Sequence, residues 1–182
     1  KVLDIYATSI DYDPRSELSR TFFQQVQNQM HWAAHGHTAA ELIYCRADAK
    51  QPQMGVTNFP GARLLKRDVE VAKNYLSETE LDMLNRIVTA YLEIAEIQAM
   101  KHIPQTMRDW TERLKQFLTM TGREVLTHAG NISHEQALQK AHAEYEKYKA
   151  QLLAEPTEVE KDFVESEREF KKIEALKKGK GA

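Results

Sequence analysis

The sequence predicts an all-α protein: a multi-helix bundle with one long ordered loop at 50–65 and a helical hairpin at its C-terminal end. Three observations carry that expectation. Helical periodicity recurs along nearly the whole chain, while alternating runs of Val, Ile, Thr and aromatic residues bounded by turn dipeptides are nearly absent. Four capping boxes mark helix starts: Thr38 with Glu41, Ser77 with Glu80, Ser133 with Gln136 and Thr157 with Glu160. In each, two side chains satisfy amides that the first helical turn leaves without partners. A mean hydropathy of −0.60 with 29% charged residues suits long helices with charged outer faces.

Asp13 before Pro14 reads as an N-cap with proline at the first helical position. Leu18, Phe22, Val26, Met30 and Ala33 then repeat at helical spacing up to Gly36, so the first helix is expected over 14–35. The Thr38 box opens a second, over 39–49. Residues 50–65 hold Pro52, Pro60, Gly55 and Gly61, which end any helix, yet Met54, Val56 and Phe59 imply a packed loop. Asp68 opens a short helix through Leu76. The Ser77 box starts a longer one over 78–101, whose Leu81, Leu84, Ile87, Val88, Tyr91 and Ala95 give it a wide apolar face and the expected central place. Pro104 stops it and Thr106 caps the next, where Met107, Trp110, Leu114, Phe117 and Leu118 form a core face ending near Gly122. Val125, Leu126 and Ile132 suggest a short packed turn before the last two helices, at about 134–154 and 158–178.

The division expected is a helical core over 1–154 and a charged helix and tail over 155–182. The final helix carries a thin stripe, Val159, Phe163, Phe170 and Ile173, interrupted by Ser166. Acidic residues fill its first half and lysines its end, as the helix macrodipole favours. Such a stripe needs cover, either from the 134–154 helix or from a second chain, and a homo-oligomer is the expected assembly.

With 182 residues the chain has the length of one compact domain. Lys and Arg number 25 against 27 Asp and Glu, so no overall positive field draws it to a polyanion and any nucleic-acid contact must be local. Glu93 and Glu96 interrupt the most apolar run, at 87–100, so no membrane span is expected. The single cysteine, Cys45, excludes an intramolecular disulfide and a Cys-based zinc knuckle, which fits a cytoplasmic protein. The chain opens at Lys1 without an apolar signal segment and reads as a piece of a longer protein.

His31, His35 and His37 form the most metal-like feature, since histidines four apart share a helix face and the third could fold back. No acid accompanies them in an H-E-x-x-H arrangement, and histidines also suit a helix C-terminus, so no metal site and no cofactor is expected. Cys45, beside Leu42 and Ile43, is expected to be a small buried side chain rather than a nucleophile. No nucleophile elbow, phosphate-cradling glycine loop or dinucleotide fingerprint occurs, and no catalytic residue is assigned. Arg63, Lys66, Arg67 and Lys73 are the most concentrated basic stretch outside the tail. They could hold phosphates weakly, or form a solvated face balanced by Asp68 and Glu70.

Several stretches taken together resemble the RhuM family of bacterial virulence-associated proteins: DIYATSIDYDP at 4–14, HTAAELIYCRADA at 37–49, Met54 to Thr57, and DVEVAKNYLSETELDMLNRIVTAYLEIAE at 68–96. The resemblance continues through IPQTMRDWTERL and REVLTHAGNIS, to about residue 150. It implies a DNA-associated protein of which this chain is the C-terminal domain, with DNA contact mainly through a segment preceding Lys1. It transfers no catalytic or metal residue. The leading expectation is therefore a non-enzymatic interaction or oligomerisation domain. The rival is a nucleic-acid-processing enzyme using His31, His35 and His37 or carboxylates near the 50–65 loop.

Overall fold

The computed structural model describes residues 9–101, 103–154, 159, 162–163 and 165–169. These are helices, turns and loops, with no strand among the described residues, so the protein is all-α. Helix α1 spans Glu17–His35. It starts one turn later than Asp13 and Pro14 suggest, because Asp13 Oδ1 takes the Arg15 amide at 2.9 Å in a local turn, leaving Ser16 to cap the helix by accepting from Leu18 N at 3.1 Å. Gly36 ends α1 at φ 75°, a conformation that disfavours a side chain.

Helix α2, Ala39–Arg46, begins at the predicted Thr38 box and stops before 49, where Ala47 turns extended and Asp48 Oδ1 accepts the Lys50 amide. The following loop is ordered as expected, with Met54 and Val56 buried. Its tightest part is a 3₁₀ turn, Pro52–Gly55, in which Gln53, Met54 and Gly55 are all left-handed, at φ 50°, 59° and 77°. Two non-glycine residues in that region are strained, and they are held by the burial of Met54 and by its amide and carbonyl bonds to Gln51 and Asp48.

The helix expected over 68–76 does not form. Two 3₁₀ turns, Lys66–Asp68 and Ala72–Tyr75, replace it. The Asn74 side-chain amide donates to the Asp68 carbonyl and the Tyr75 hydroxyl to the Val69 carbonyl, both at 2.8 Å. Those are carbonyls that a helix would offer to amides four residues on.

Helix α3, Glu78–Ala99, and helix α4, Met107–Met120, both start at complete capping boxes. Helix α5, His134–Ala154, follows a packed stretch in which Gln29 pairs with the Leu126 backbone through both ends of its amide, at 2.7 and 3.0 Å. Phe22, Val26, Met30 and Ala33 of α1, Ile87, Tyr91 and Ala95 of α3, and Met107, Trp110, Leu114, Phe117 and Leu118 of α4 make one core. The hub is α1, which packs against α2, α3 and α4, and not the 78–101 helix. On α3, Leu81, Leu84, Val88 and Leu92 stay half-buried, so its wide apolar face is covered only along the middle. Leu18, read as part of the α1 stripe, is 75% exposed, and Ser19 occupies the buried position beside Met107.

Packing divides the chain between Tyr145 and Glu146, within α5, whereas the sequence reading places the division at 154/155. In the C-terminal part, residues 159, 162–163 and 165–169 are helical; the rest of the expected 158–178 helix lies outside the described residues. No helix among the described residues is long and apolar enough to cross a membrane.

Candidate functional site

The C-terminal turn of α1 brings the histidines together. His31 Nδ1 and His35 Nε2 are 2.9 Å apart, and His37 Nδ1 donates to the His35 carbonyl at 3.0 Å. His31 is only 5% exposed. Burial and the neighbouring His35 lower its pKa to about 4. Burial also lowers that of His35 to about 4, with Glu80 opposing. Both rings are therefore neutral at pH 7. The remaining nitrogen of His35, Nδ1, is buried without a partner. A buried N–H left unbonded costs more than a buried lone pair, so the favoured tautomer has His35 donating from Nε2 and His31 carrying its own proton on Nε2. With one nitrogen of each ring engaged in this bond, the pair is not arranged as two free ligands. Among the described residues no three His, Cys, Asp or Glu side chains gather as a metal set.

His31 also lines a cleft of about 750 Å³. Gln24 and Asn28 of α1, Thr38 at the start of α2, Lys73 and Ser133 contribute to its wall. Asn28 Oδ1 accepts the Ala39 amide at 3.3 Å, tying α1 to the first turn of α2. Behind this wall Glu41 is buried. Burial raises its pKa, but the amides of Asn131 and Thr38, at 2.7 and 2.9 Å, outweigh that and hold the carboxyl below its ordinary value. A further anchor is the bidentate pair of Arg46 with Glu80, at 2.6 and 2.7 Å, with Arg46 also donating to the Tyr75 carbonyl. Its guanidinium brings the Glu80 carboxyl down to about 2.

Of the four basic candidates, Lys73 lines the cleft, and Arg63, Lys66 and Arg67 do not. All four are exposed. Arg67 lies 4.0 Å from Asp68, whose other carboxylate oxygen accepts the Leu65 amide. Cys45 corrects its sequence reading: it is exposed, because Leu42 and Ile43 take the buried face of the short α2. Val159 and Phe163 are 77% and 65% exposed, while Phe170 and Ile173 lie outside the described residues.

Sequence reasoning missed how α5 is fastened. Lys140 Nζ donates to the Tyr44 carbonyl at 2.7 Å and stands over the Tyr44 ring, His142 meets Glu70 at 2.7 Å, and Glu144 accepts the Ala49 amide at 3.0 Å. The only local signal for this face is the pair Ala137 and Ala141, four apart and fully buried.

Neither the curated proteins nor the solved structures contain a match to this chain. The model of the virulence protein RhuM family matches residues 1–155. That span takes in the Thr38, Ser77 and Ser133 caps, the 50–65 loop and the cleft, and the chain belongs to the virulence protein RhuM family.

Proposed function

We propose that this chain is a non-enzymatic helical interaction domain of a RhuM-family protein. The observation that carries the reading is the exposure of Val159 and Phe163, one turn apart on a helical segment, whereas Phe22, Val26, Met30, Ile87, Tyr91, Trp110 and Leu114 of α1, α3 and α4 cover one another. Apolar side chains grouped on one exposed helix face support a docking surface where they form a contiguous patch. Replacing both by Asp is expected to leave the melting temperature of the bundle unchanged while abolishing any complex the chain forms. A variant that unfolds the bundle would make the pair structural and defeat the reading. Contact with DNA is a secondary role. Arg63, Lys66 and Lys73 have no carboxylate within 4.0 Å among the described residues, which supports weak phosphate contact without sequence preference. In a salt series, Lys66→Ala with Arg67→Ala then weakens duplex binding and flattens the salt slope, whereas tight, sequence-selective binding at physiological salt overturns this role.

A second reading, a nucleic-acid-processing enzyme, is favoured by the convergence of His31, Lys73 and Asn28 on one cleft. Cleavage of nucleic acid by the purified chain, lost in His31→Phe at unchanged stability, would establish it.

A further inference from the structure

We infer that the cleft walled by α1 and by the first turns of α2 and α5 binds the phosphate group of a small organic molecule. His31 lines this cleft and is 5% exposed. Its Nδ1 is taken by His35, while its Nε2 has no hydrogen-bond partner among the described residues and is not one of the atoms sealed from solvent. A buried ring therefore turns one unpartnered nitrogen to the cleft, and the tautomer set by His35 makes that nitrogen a donor. Two other residues of the wall repeat the pattern. Asn28 Oδ1 accepts the Ala39 amide at 3.3 Å and Ser133 Oγ accepts the Gln136 amide at 3.1 Å. The fold thus uses an acceptor of each side chain, and the Asn28 amide protons and the Ser133 hydroxyl proton have no partner among the described residues. Lys73 adds an ammonium with no carboxylate within 4.0 Å.

Four side chains that offer protons, one of them cationic, select an anion. The Glu70 carboxylate reaches the same wall and is bonded to His142 Nε2 at 2.7 Å. Helices α2 and α5 both begin at the cleft, so their first-turn amides add the positive ends of two helix dipoles to the donors. The donors come from three separate segments: α1, the turn before α3 and the start of α5. Such a spread suits the three terminal oxygens of a tetrahedral phosphate better than the two of a planar carboxylate. The volume of about 750 Å³ exceeds what an inorganic ion fills and lies within the range of about 300–1,000 Å³ for small-molecule sites. Ile43, Leu84 and Ile132 supply apolar wall for the organic part. This site is independent of the docking surface at Val159 and Phe163, and holding a phosphate requires no cleavage.

The test is calorimetric titration of the full chain with inorganic phosphate, adenosine monophosphate, adenosine, acetate and a thymidine oligonucleotide at constant ionic strength. Inorganic phosphate and adenosine monophosphate are expected to bind, the nucleotide at least about tenfold more tightly than adenosine or acetate. Asn28→Asp keeps the oxygen that takes the Ala39 amide and puts a charged oxygen where the donor was. It should weaken nucleotide binding at least about tenfold at unchanged melting temperature. Lys73→Gln, at an exposed position, is the second variant and should weaken binding several-fold without touching the fold. Equal binding of adenosine and its monophosphate overturns the inference, as does acetate held as tightly as phosphate. So does the absence of binding by either phosphate compound in the millimolar range, or a nucleotide affinity that both variants leave unchanged. An oligonucleotide that outbinds the mononucleotide and is weakened by Lys73→Gln makes the cleft a nucleic-acid site and overturns the small-molecule assignment. None of these outcomes alters the interaction-domain reading, which is tested at Val159 and Phe163.

Discussion

Between α1, α3 and α4 the contacts are made by large apolar side chains, whereas α2, the 50–76 segment and the first half of α5 are joined by side chains that bond to distant backbone. In the first region Trp110, Tyr91 and Leu114 fill the space between helices, and Tyr91 sends its one polar group to the Trp110 carbonyl at 2.8 Å. In the second, Glu41, Arg46, Asn74, Lys140 and Glu144 each bond to backbone, and the helix face they frame is made of alanines. Burial of large side chains tolerates small displacements and contributes in proportion to area. A bond to backbone contributes less but fixes direction. The cleft lies where the two regions meet, with His31 and Asn28 of the first facing Thr38, Lys73 and Ser133 of the second.

The largest effect expected is in the apolar region. Trp110→Ala should destabilise the fold by about 3–5 kcal/mol, the range for deleting a large buried aromatic, and a shift near zero in urea denaturation would mean that the α4 face is not core. The backbone-directed region is most sensitive at Gly55. A Cβ there would lie 2.5 Å from the Arg46 carbonyl oxygen at a φ of +77°. Gly55→Ala is therefore expected to cost about 2–3 kcal/mol, combining left-handed strain with the displacement of α2, and a neutral substitution would show that the turn is free to move.

Acid should separate the regions as well. His31 and His35 titrate near 4 in the folded chain against 6.5 when unfolded, so the unfolded chain takes up their protons first. Their contribution to stability is complete above about pH 6.5 and declines as the pH falls towards 4. For His31 the loss between pH 7 and pH 5 is about 2 kcal/mol, with less from the more open His35. Glu80 adds a later loss, since the stability it contributes is present above the ordinary carboxylate value and disappears as the pH falls through about 2. His31→Gln should flatten the stability profile between pH 5 and pH 7, and an unchanged slope would mean that other groups set it. The smallest effect belongs to the α5 seam. Lys140→Ala should cost less than about 1 kcal/mol, because the ammonium is exposed, and a loss of several kcal/mol would show that the seam holds α5 in place unaided.

The sequence by itself determined the helical class, the starts of α2, α3, α4 and α5, and the core stripes of α1 and α4. Caps and periodic apolar faces are local signals, read within a turn or two of the residue that carries them. It also showed His31 and His35 sharing one face of a helix with His37 just past its end, and the thin stripe of the last one. What it did not reveal depended on which backbone group each polar side chain takes, six residues away for Asn74 and Tyr75 and 90 away for Glu41. Asn74 and Tyr75 dissolve the 68–76 helix by taking its carbonyls, and Glu41 reaches Asn131 as well as its own cap. Cys45 faces water because Leu42 and Ile43 claim the buried side of a helix too short to bury both faces. The tertiary structure alone decided that α1 is the hub and that His31 lies on the wall of a cleft. A wide apolar face shows that a helix can be buried, but which helices pack against it, and what remains open between them, depends on how all the elements fill the same space.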